Sequence, residues 1–521
     1  MTSQQRTLPG REDQVAALGI DLGTTRTVVA VSDRGNYPVL PFTDGEGDDH
    51  FYLPSVSALT PAGLVHGFRA RQAARQGAPL LRSLKRLLAS PRTTWSTPVR
   101  LGGQELAVGE VLTSYLRHLR EEIAALPALA EVDLAAATTS VVVAVPAHAY
   151  GAQRMLTRDA FEAAGFHVTA VVNEPSAAGL EYTHRRSGTL SSRRTRVLVY
   201  DLGGGTFDSS VVDVTGGRHE VLASRGLPDL GGDDVDLLLA QMVLERCGTQ
   251  EEDLSPTELD DLLEQCQEAK EGLTPQTRRV VVELRGQSVV VDTAEIDRRC
   301  APLVARSLAV MEPLLSRLDD GSPDLSHVAG IYLVGGASAF PPVARALRER
   351  YGRRVHRSPY PGSSTAIGLA IAADPQSGLT LSDRLSRGFG VFRESEDGER
   401  TSFDVLLRPD SVQAGAGQAT VIEREYQAVH NVARFRFVEC ADIDERGEPC
   451  GRTYPYQDVL FPLEAGLRDH ADLRQVEVRR TGNGPRVHER YEVDADGQIQ
   501  VTLTDISDGY RRRYVLGQRQ D

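Results

Sequence analysis

Two short glycine turns, each entered through an aspartate at the end of an apolar run, limit what this chain can fold into. Asp21-Leu-Gly-Thr-Thr25 follows Ala17 to Ile20, and Asp201-Leu-Gly-Gly-Gly-Thr206 follows Val197 to Tyr200. Glycine lets backbone N–H groups approach an anion closely and the threonines add hydroxyl donors, so each turn suits a phosphate. Leu18 to Ile20 with Thr27 to Val31, and Val197 to Tyr200 with Ser209 to Val214, are rich in Val, Leu and Ile, so each turn is expected to join two strands as a hairpin. A dinucleotide fold or a Walker-type loop would run from strand into helix, and Gly203-Gly-Gly205 lacks the G-x-G-x-x-G spacing, so both are disfavoured. Two such hairpins facing each other imply a clamp on a nucleotide.

The 521 residues, 40% hydrophobic and 25% charged, are enough for several cored domains of an ordinary soluble protein. A net charge of −14 with no basic block argues against nucleic acid and anionic membranes as partners. No run of about 18 apolar residues is present and Met1 to Gln14 is polar, which makes the cytoplasm the expected location. The five cysteines, Cys247, Cys266, Cys300, Cys440 and Cys450, show no Cys-x-x-Cys spacing, so neither a disulfide framework nor a zinc site is expected. Of the 58 basic residues only Lys85 and Lys270 are lysines. A compact ammonium retained where arginine serves elsewhere points to a role at a phosphate or hydroxyl.

Further along, Val141 to Val145 reads as a buried strand stopped by Pro146, Gln153 to Ala164 as a helix, and Val168 to Val172 as a strand. Asn173-Glu-Pro-Ser176 then leads into the small-residue helix Ala177 to Tyr182, placing Glu174 at the carboxyl end of a strand, a favoured ligand position. Leu259, Leu262, Leu263, Cys266 and Leu273 recur at helical spacing and leave Gln267, Lys270, Glu271 and Thr274 on an adjoining polar strip. Ile331 to Val334 enters Gly335-Gly-Ala-Ser338 ahead of a helix over Val343 to Tyr351, a strand-glycine-helix unit fit to seat a ribose or purine. After Ala373 the texture turns to short alternating runs, with Asp496-Gly497 as the turn of the clearest hairpin, so a β-rich domain is expected.

Gly19-Ile-Asp-Leu-Gly-Thr-Thr25, Val145-Pro-Ala-His148, Asn173-Glu-Pro-Ser-Ala-Ala178, Tyr200-Asp-Leu-Gly-Gly-Gly-Thr-Phe-Asp208 and Leu333-Val-Gly-Gly336, in that order, resemble DnaK-type heat-shock chaperones. The resemblance implies a two-lobed, actin-like (ribonuclease H-like) α/β ATPase domain over residues 18–373, after a polar extension at 1–17. A linker at 374–387 and a β-sandwich substrate-binding-like domain at 388–521 follow, the last without the family's helical lid. By the same resemblance Asp21 and Asp201 would hold Mg²⁺, largely through its waters. Gly23, Thr24, Thr25, Gly203, Gly204, Gly205 and Thr206 would bind the phosphates of ATP or ADP, and Gly232, Lys270, Thr274, Gly335, Gly336 and Ala337 the rest of the nucleotide. Lys85 would position the attacking water, with Glu174, Asp208 and Thr206 as the remaining catalytic groups. Pro146 and Arg154 match positions that carry the family's allosteric signal. Unfolded or extended polypeptides, a J-domain cochaperone and a nucleotide exchange factor are the implied partners.

Departures from the family pattern are Ala339 where an arginine often stands against the purine, Gly362 where a later loop carries an acidic residue, and Gln267 and Glu271 on the nucleotide-facing helix, so base and ribose contacts are expected to be weak or rearranged. The alternatives are a sugar or acid kinase on the same fold, which also uses an Asp-x-Gly-x-Thr hairpin, and a non-enzymatic nucleotide-gated docking module or filament subunit.

Overall fold

The computed structural model describes residues 16–130, 132–318, 323–382, 387–395, 399–409, 411, 419–494 and 497–517. Residues 1–15 of the polar extension, 383–386 of the expected linker and Asp496 of the Asp-Gly turn therefore lie outside the described residues. The chain forms two compact units, one of Met1–Ala89, Trp95–His148 and Leu156–Leu381, the other of Ser90–Thr94, Ala149–Met155 and Ser382–Asp521.

The first unit is built around two large sheets, together with smaller ones. In one, Ala16–Leu22 lies between Thr139–Val145, to which it is parallel, and Arg26–Val31, to which it is antiparallel; Val168–Asn173 and Leu53–Pro54 complete the five strands. In the six-stranded sheet, Arg196–Leu202 lies between the parallel strand Val328–Val334 and the antiparallel strand Phe207–Thr215. Both glycine turns thus join strands as hairpins, closed alike by Gly23 N–H on Arg26 O and Gly203 N–H on Thr206 O, each at 3.0 Å. Their central strands are near-continuous apolar runs covered on both faces, as parallel-paired strands require.

Helices carry these sheets. Gly232–Cys247, Pro256–Glu271, Thr293–Met311 and Pro341–Tyr351 supply the core beside the six-stranded sheet, through residues such as Leu239, Leu262, Ile296 and Leu347. Ser255 begins the 256–271 helix, its hydroxyl accepting from Glu258 N–H and Pro256 following in the first turn. That helix ends at Glu271, so Thr274 lies in the segment beyond it and not on its polar strip. Glu174–Arg186 packs against the strands at 196–202 and 207–215, and Ser364–Ala373 against the strand at 16–22. These two helices cross so closely that a β-carbon on Gly368 would overlap Ala177 O. Asp374, placed in the linker by sequence, is buried and accepts from Ser32 Oγ at 2.7 Å and Tyr37 OH at 3.1 Å, and Thr380–Ser382 forms the last strand of the six-stranded sheet.

The second unit is a β-sandwich. One four-stranded antiparallel sheet holds Gly388–Ser395, Arg400–Leu407, Val432–Ile443 and Pro449–Pro462; the other holds Thr420–Gln427, Arg486–Val493, Ile499–Asp505 and Arg511–Val515. Phe389, Val391, Phe437 and Phe461 from the first sheet meet Val487, Tyr491, Val501 and Leu503 from the second in one core. The strands at 486–493 and 499–505 pair as a hairpin, with Gly497 at φ 78° supplying the left-handed turn. All five cysteines are free thiols.

Candidate functional site

The two hairpin tips meet. A β-carbon on Gly204 would stand 2.8 Å from Thr25 Oγ1, and one on Gly205 would stand 2.7 Å from Thr24 Cγ2, so the turns approach backbone to side chain. Only glycine allows that approach. A cleft of about 950 Å³ opens beside them, lined by Asp21, Gly23, Thr24, Thr25, Lys85, Glu174, Asp201, Gly203, Gly204, Thr206, Gly232, Lys270, Thr274, Gly335, Gly336 and Ala337. Of the site residues expected from sequence, Gly205 and Asp208 are not on its wall. Gly205 is turned toward Thr24 and Arg86, and Asp208 is buried, its Oδ1 accepting from Ala147 N–H at 2.9 Å.

Each charged group reaches the cleft by a local device. Lys85 stands in the single-turn helix Leu84–Leu88, entered through Ser83 in the left-handed region, φ 56°. Glu174 is the first residue of its helix, directly after the strand at 168–173 and followed by Pro175, where the helix dipole favours a carboxylate. Lys85 Nζ donates to Glu174 Oε1, and each residue is 6% exposed. Asp21 and Asp201 occupy equivalent positions at the ends of the two hairpin strands, Asp201 opposite Asp208 in its ladder. Gly335, at φ 81°, passes so close to Asp201 that any β-carbon would overlap Oδ1.

Four carboxylates surround one ammonium. Burial, then the charges of Glu174, Asp208 and Asp21, holds Asp201 well above the usual carboxylate range. Burial raises Asp21 as well, with Lys85 pulling the other way, and pushes Glu174 up to about 7 against the attraction of Lys85. Burial disfavours the Lys85 ammonium, but Glu174, Asp21 and Asp208 outweigh it and raise its pKa. The arrangement is short of positive charge, which fits a divalent cation accompanying an anionic ligand. Among the described residues no group of three His, Cys, Asp or Glu side chains could hold a metal ion, so the fit is to a cation held through its waters and the ligand's oxygens rather than in a protein cage.

The far wall of the cleft comes from the 256–271 helix and the Gly335 unit. Lys270 Nζ donates to Gly232 O at 3.0 Å and Asp236 Oδ2 at 2.7 Å, which ties this helix to the start of the one at 232–247. Gln267 and Glu271, expected to weaken nucleotide contacts, have another use here. Glu271 accepts from Gln267 Nε2 at 3.0 Å and from Arg26 of the first hairpin, while the Arg26 guanidinium lies 4.3 Å over the Tyr52 ring. Arg75 with Glu264 and Arg82 with Asp260 are further ion pairs made by the same helix. Ala339 and Gly362 line the cleft without a charged group to offer, alongside Phe340, Arg345, Arg348 and Arg357, which sequence reasoning did not single out. Arg26 was also missed, although its place directly after Thr25 was the available signal. Pro146 follows the strand at 139–145, and Arg154 falls in the 149–155 segment of the second unit, near Glu439, whose carboxyl is pushed up to about 7 by burial against the opposing pull of Arg387, the Gly151 N–H and Arg154.

Comparison with known proteins gives one consistent answer. The profile of the family described as Hsp70 protein matches residues 17–386. Chaperone protein HscA of Klebsiella pneumoniae is 34% identical over 511 residues, covering 95% of this chain and 76% of that protein. The HscA homolog of Laribacter hongkongensis is likewise 34% identical, over 95% of this chain and 77% of its own length, and HscA of Escherichia coli 31%, over 95% and 76%. Nothing in these matches favours a sugar or acid kinase. With an actin-like two-sheet ATPase unit, a following β-sandwich and relatives of this kind along nearly its whole length, the chain belongs to the Hsp70 family of ATP-dependent chaperones.

Proposed function

We propose that this chaperone binds Mg-ATP between its two glycine hairpins, hydrolyses it slowly to ADP, and uses that cycle to change how tightly the C-terminal β-sandwich holds extended polypeptide. The observation that carries the reading is the convergence of the hairpins on a cleft holding Asp21, Asp201, Glu174 and Lys85. The Gly204 backbone N–H with the hydroxyls of Thr24, Thr25 and Thr206 would take the phosphates, while Gly23 and Gly203, whose own N–H groups close the hairpins, let the turns approach them. Asp21 and Asp201 would hold hydrated Mg²⁺, whose role when bound is to neutralise charge on the phosphate oxygens. Lys85, kept charged and anchored by Glu174, would stabilise negative charge developing on the transferred phosphoryl and position the attacking water, with Asp208 orienting that water. Gly335, Gly336, Ala337, Lys270 and Thr274 would seat the nucleoside.

Phosphoryl transfer asks for positioning and charge neutralisation more than covalent chemistry, which such a set can supply. A J-domain cochaperone and a nucleotide exchange factor, working in the cytoplasm, complete the proposal; family membership supports them, and no described helix is long and apolar enough to cross a membrane. Calorimetric titration with ATP, with and without Mg²⁺, combined with ADP formation, tests the reading. Lys85→Ala is expected to retain binding and lose about 10²–10³-fold in hydrolysis, and Asp201→Asn to lose the Mg²⁺ dependence of binding. Peptide release that is indifferent to ATP would refute the coupling.

A further inference from the structure

Asp208 is 1% exposed, and its two oxygens are treated unequally. Oδ1 has two partners, Ala147 N–H at 2.9 Å and His148 Nδ1 at 2.9 Å, whereas Oδ2 is buried with no hydrogen-bond partner among the described residues. A carboxylate only accepts, so in this contact Nδ1 carries the proton. The imidazole reaches Asp208 because residue 226, its ladder neighbour on the next strand, is glycine. A β-carbon there would overlap His148 Nδ1 and come within 2.8 Å of Asp208 Oδ1. Gly226 is not among the positive-φ glycines, so what the position requires is the absence of a side chain.

We infer that His148 is a positioning residue for ATP hydrolysis. Held from two directions at Oδ1, the Asp208 carboxylate is restrained from rotating about its terminal bond, and Oδ2 is left without a hydrogen-bond partner among the described residues. The inference rests on the reading of Asp208 as a water-orienting carboxylate. A group that acts only by fixing the direction of another changes the rate of the chemical step and leaves the affinity for nucleotide alone.

Single-turnover hydrolysis and calorimetric ATP affinity, both on the full chain with Mg²⁺, separate the possibilities. His148→Ala is expected to slow hydrolysis about tenfold, the effect of one hydrogen bond to a charged group, with the ATP Kd unchanged within about twofold. His148→Asn, whose Nδ2 can stand where Nδ1 stands, is expected to recover most of the rate, and Gly226→Ala, which displaces the ring, to behave like His148→Ala. Wild-type hydrolysis by His148→Ala alongside a slow Asp208→Asn would overturn the inference, as would failure of His148→Asn to rescue or a parallel loss of rate and affinity. Wild-type hydrolysis by Asp208→Asn would overturn it too, by removing the role assigned to Asp208 itself.

Discussion

Glu174 reaches Lys85 as a charge only on the alkaline side of its own titration. Its folded pKa is near 7 against an ordinary value of 4.5, chiefly because it is buried. The carboxylate, and with it the ion pair that anchors Lys85, is therefore complete above that pH and lost as pH falls through it. Values of kcat/KM for ATP are expected to fall on the acid side with a midpoint near 7, and Glu174→Gln to flatten that limb, as rates measured between about pH 5.5 and 8.5 would reveal. The same raised pKa makes this group's contribution to folding decline as pH rises from 4.5 toward 7, since ionisation is harder in the folded chain. Positions that the backbone geometry itself demands were legible beforehand: the glycines at 204 and 335, and Glu174 between strand and Pro175. Arg26 and His148 were not, because their partners, Glu271 and Asp208, are remote in sequence and only the folded distances reveal them.

At the scale of elements, the 256–271 helix acts as one side of a fastening. Glu271, Glu264 and Asp260 meet Arg26, Arg75 and Arg82 from the first part of the chain, the Arg26–Glu271 pair standing at the wall of the nucleotide cleft. Partly exposed pairs of this kind contribute about 0.2–1 kcal/mol each, so Glu271→Gln is expected to speed nucleotide release by up to about fivefold. Release from the unaltered protein should also quicken with ionic strength, because salt screens such pairs, whereas the variant should respond less. Stopped-flow displacement of a fluorescent nucleotide at two salt concentrations checks both. The helix itself was legible from the spacing of Leu262 and Cys266, its two buried positions, and from Ser255-Pro256 before it. Its fastening role was not, because charged residues on an exposed face carry no sequence signal of what they oppose. Thr274 was placed on this helix for a related reason: periodicity continued past Glu271, where the helix stops.

For the whole molecule, stability is apportioned unit by unit. Within the sandwich, Arg393 of one sheet makes a two-pronged contact with Glu489 of the other, at 2.9 and 2.6 Å, and also holds Asp404 at 2.8 Å. Glu489 is fully buried and accepts from Tyr491 OH at 2.6 Å as well, so the two sheets are joined by charge as well as by their apolar core. Glu489→Ala is expected to cost this unit about 3 kcal/mol by removing the two-pronged partner of a half-buried guanidinium and leaving it to Asp404, and Arg393→Met with Glu489→Leu to recover most of it; denaturant unfolding followed by circular dichroism distinguishes the two. The sequence announced a β-rich domain through alternation but not this link, since Arg393 and Glu489 are nearly a hundred residues apart and the intervening loops hide the register. In the ATPase unit the equivalent join is the crossing at Gly368 and Ala177, where no side chain stands between two helices, one packed on each sheet. Parts joined at so tight a rivet can swing but have no room to slide, as in a pair of pliers, and whatever is gripped at the tips must be registered as a change of angle.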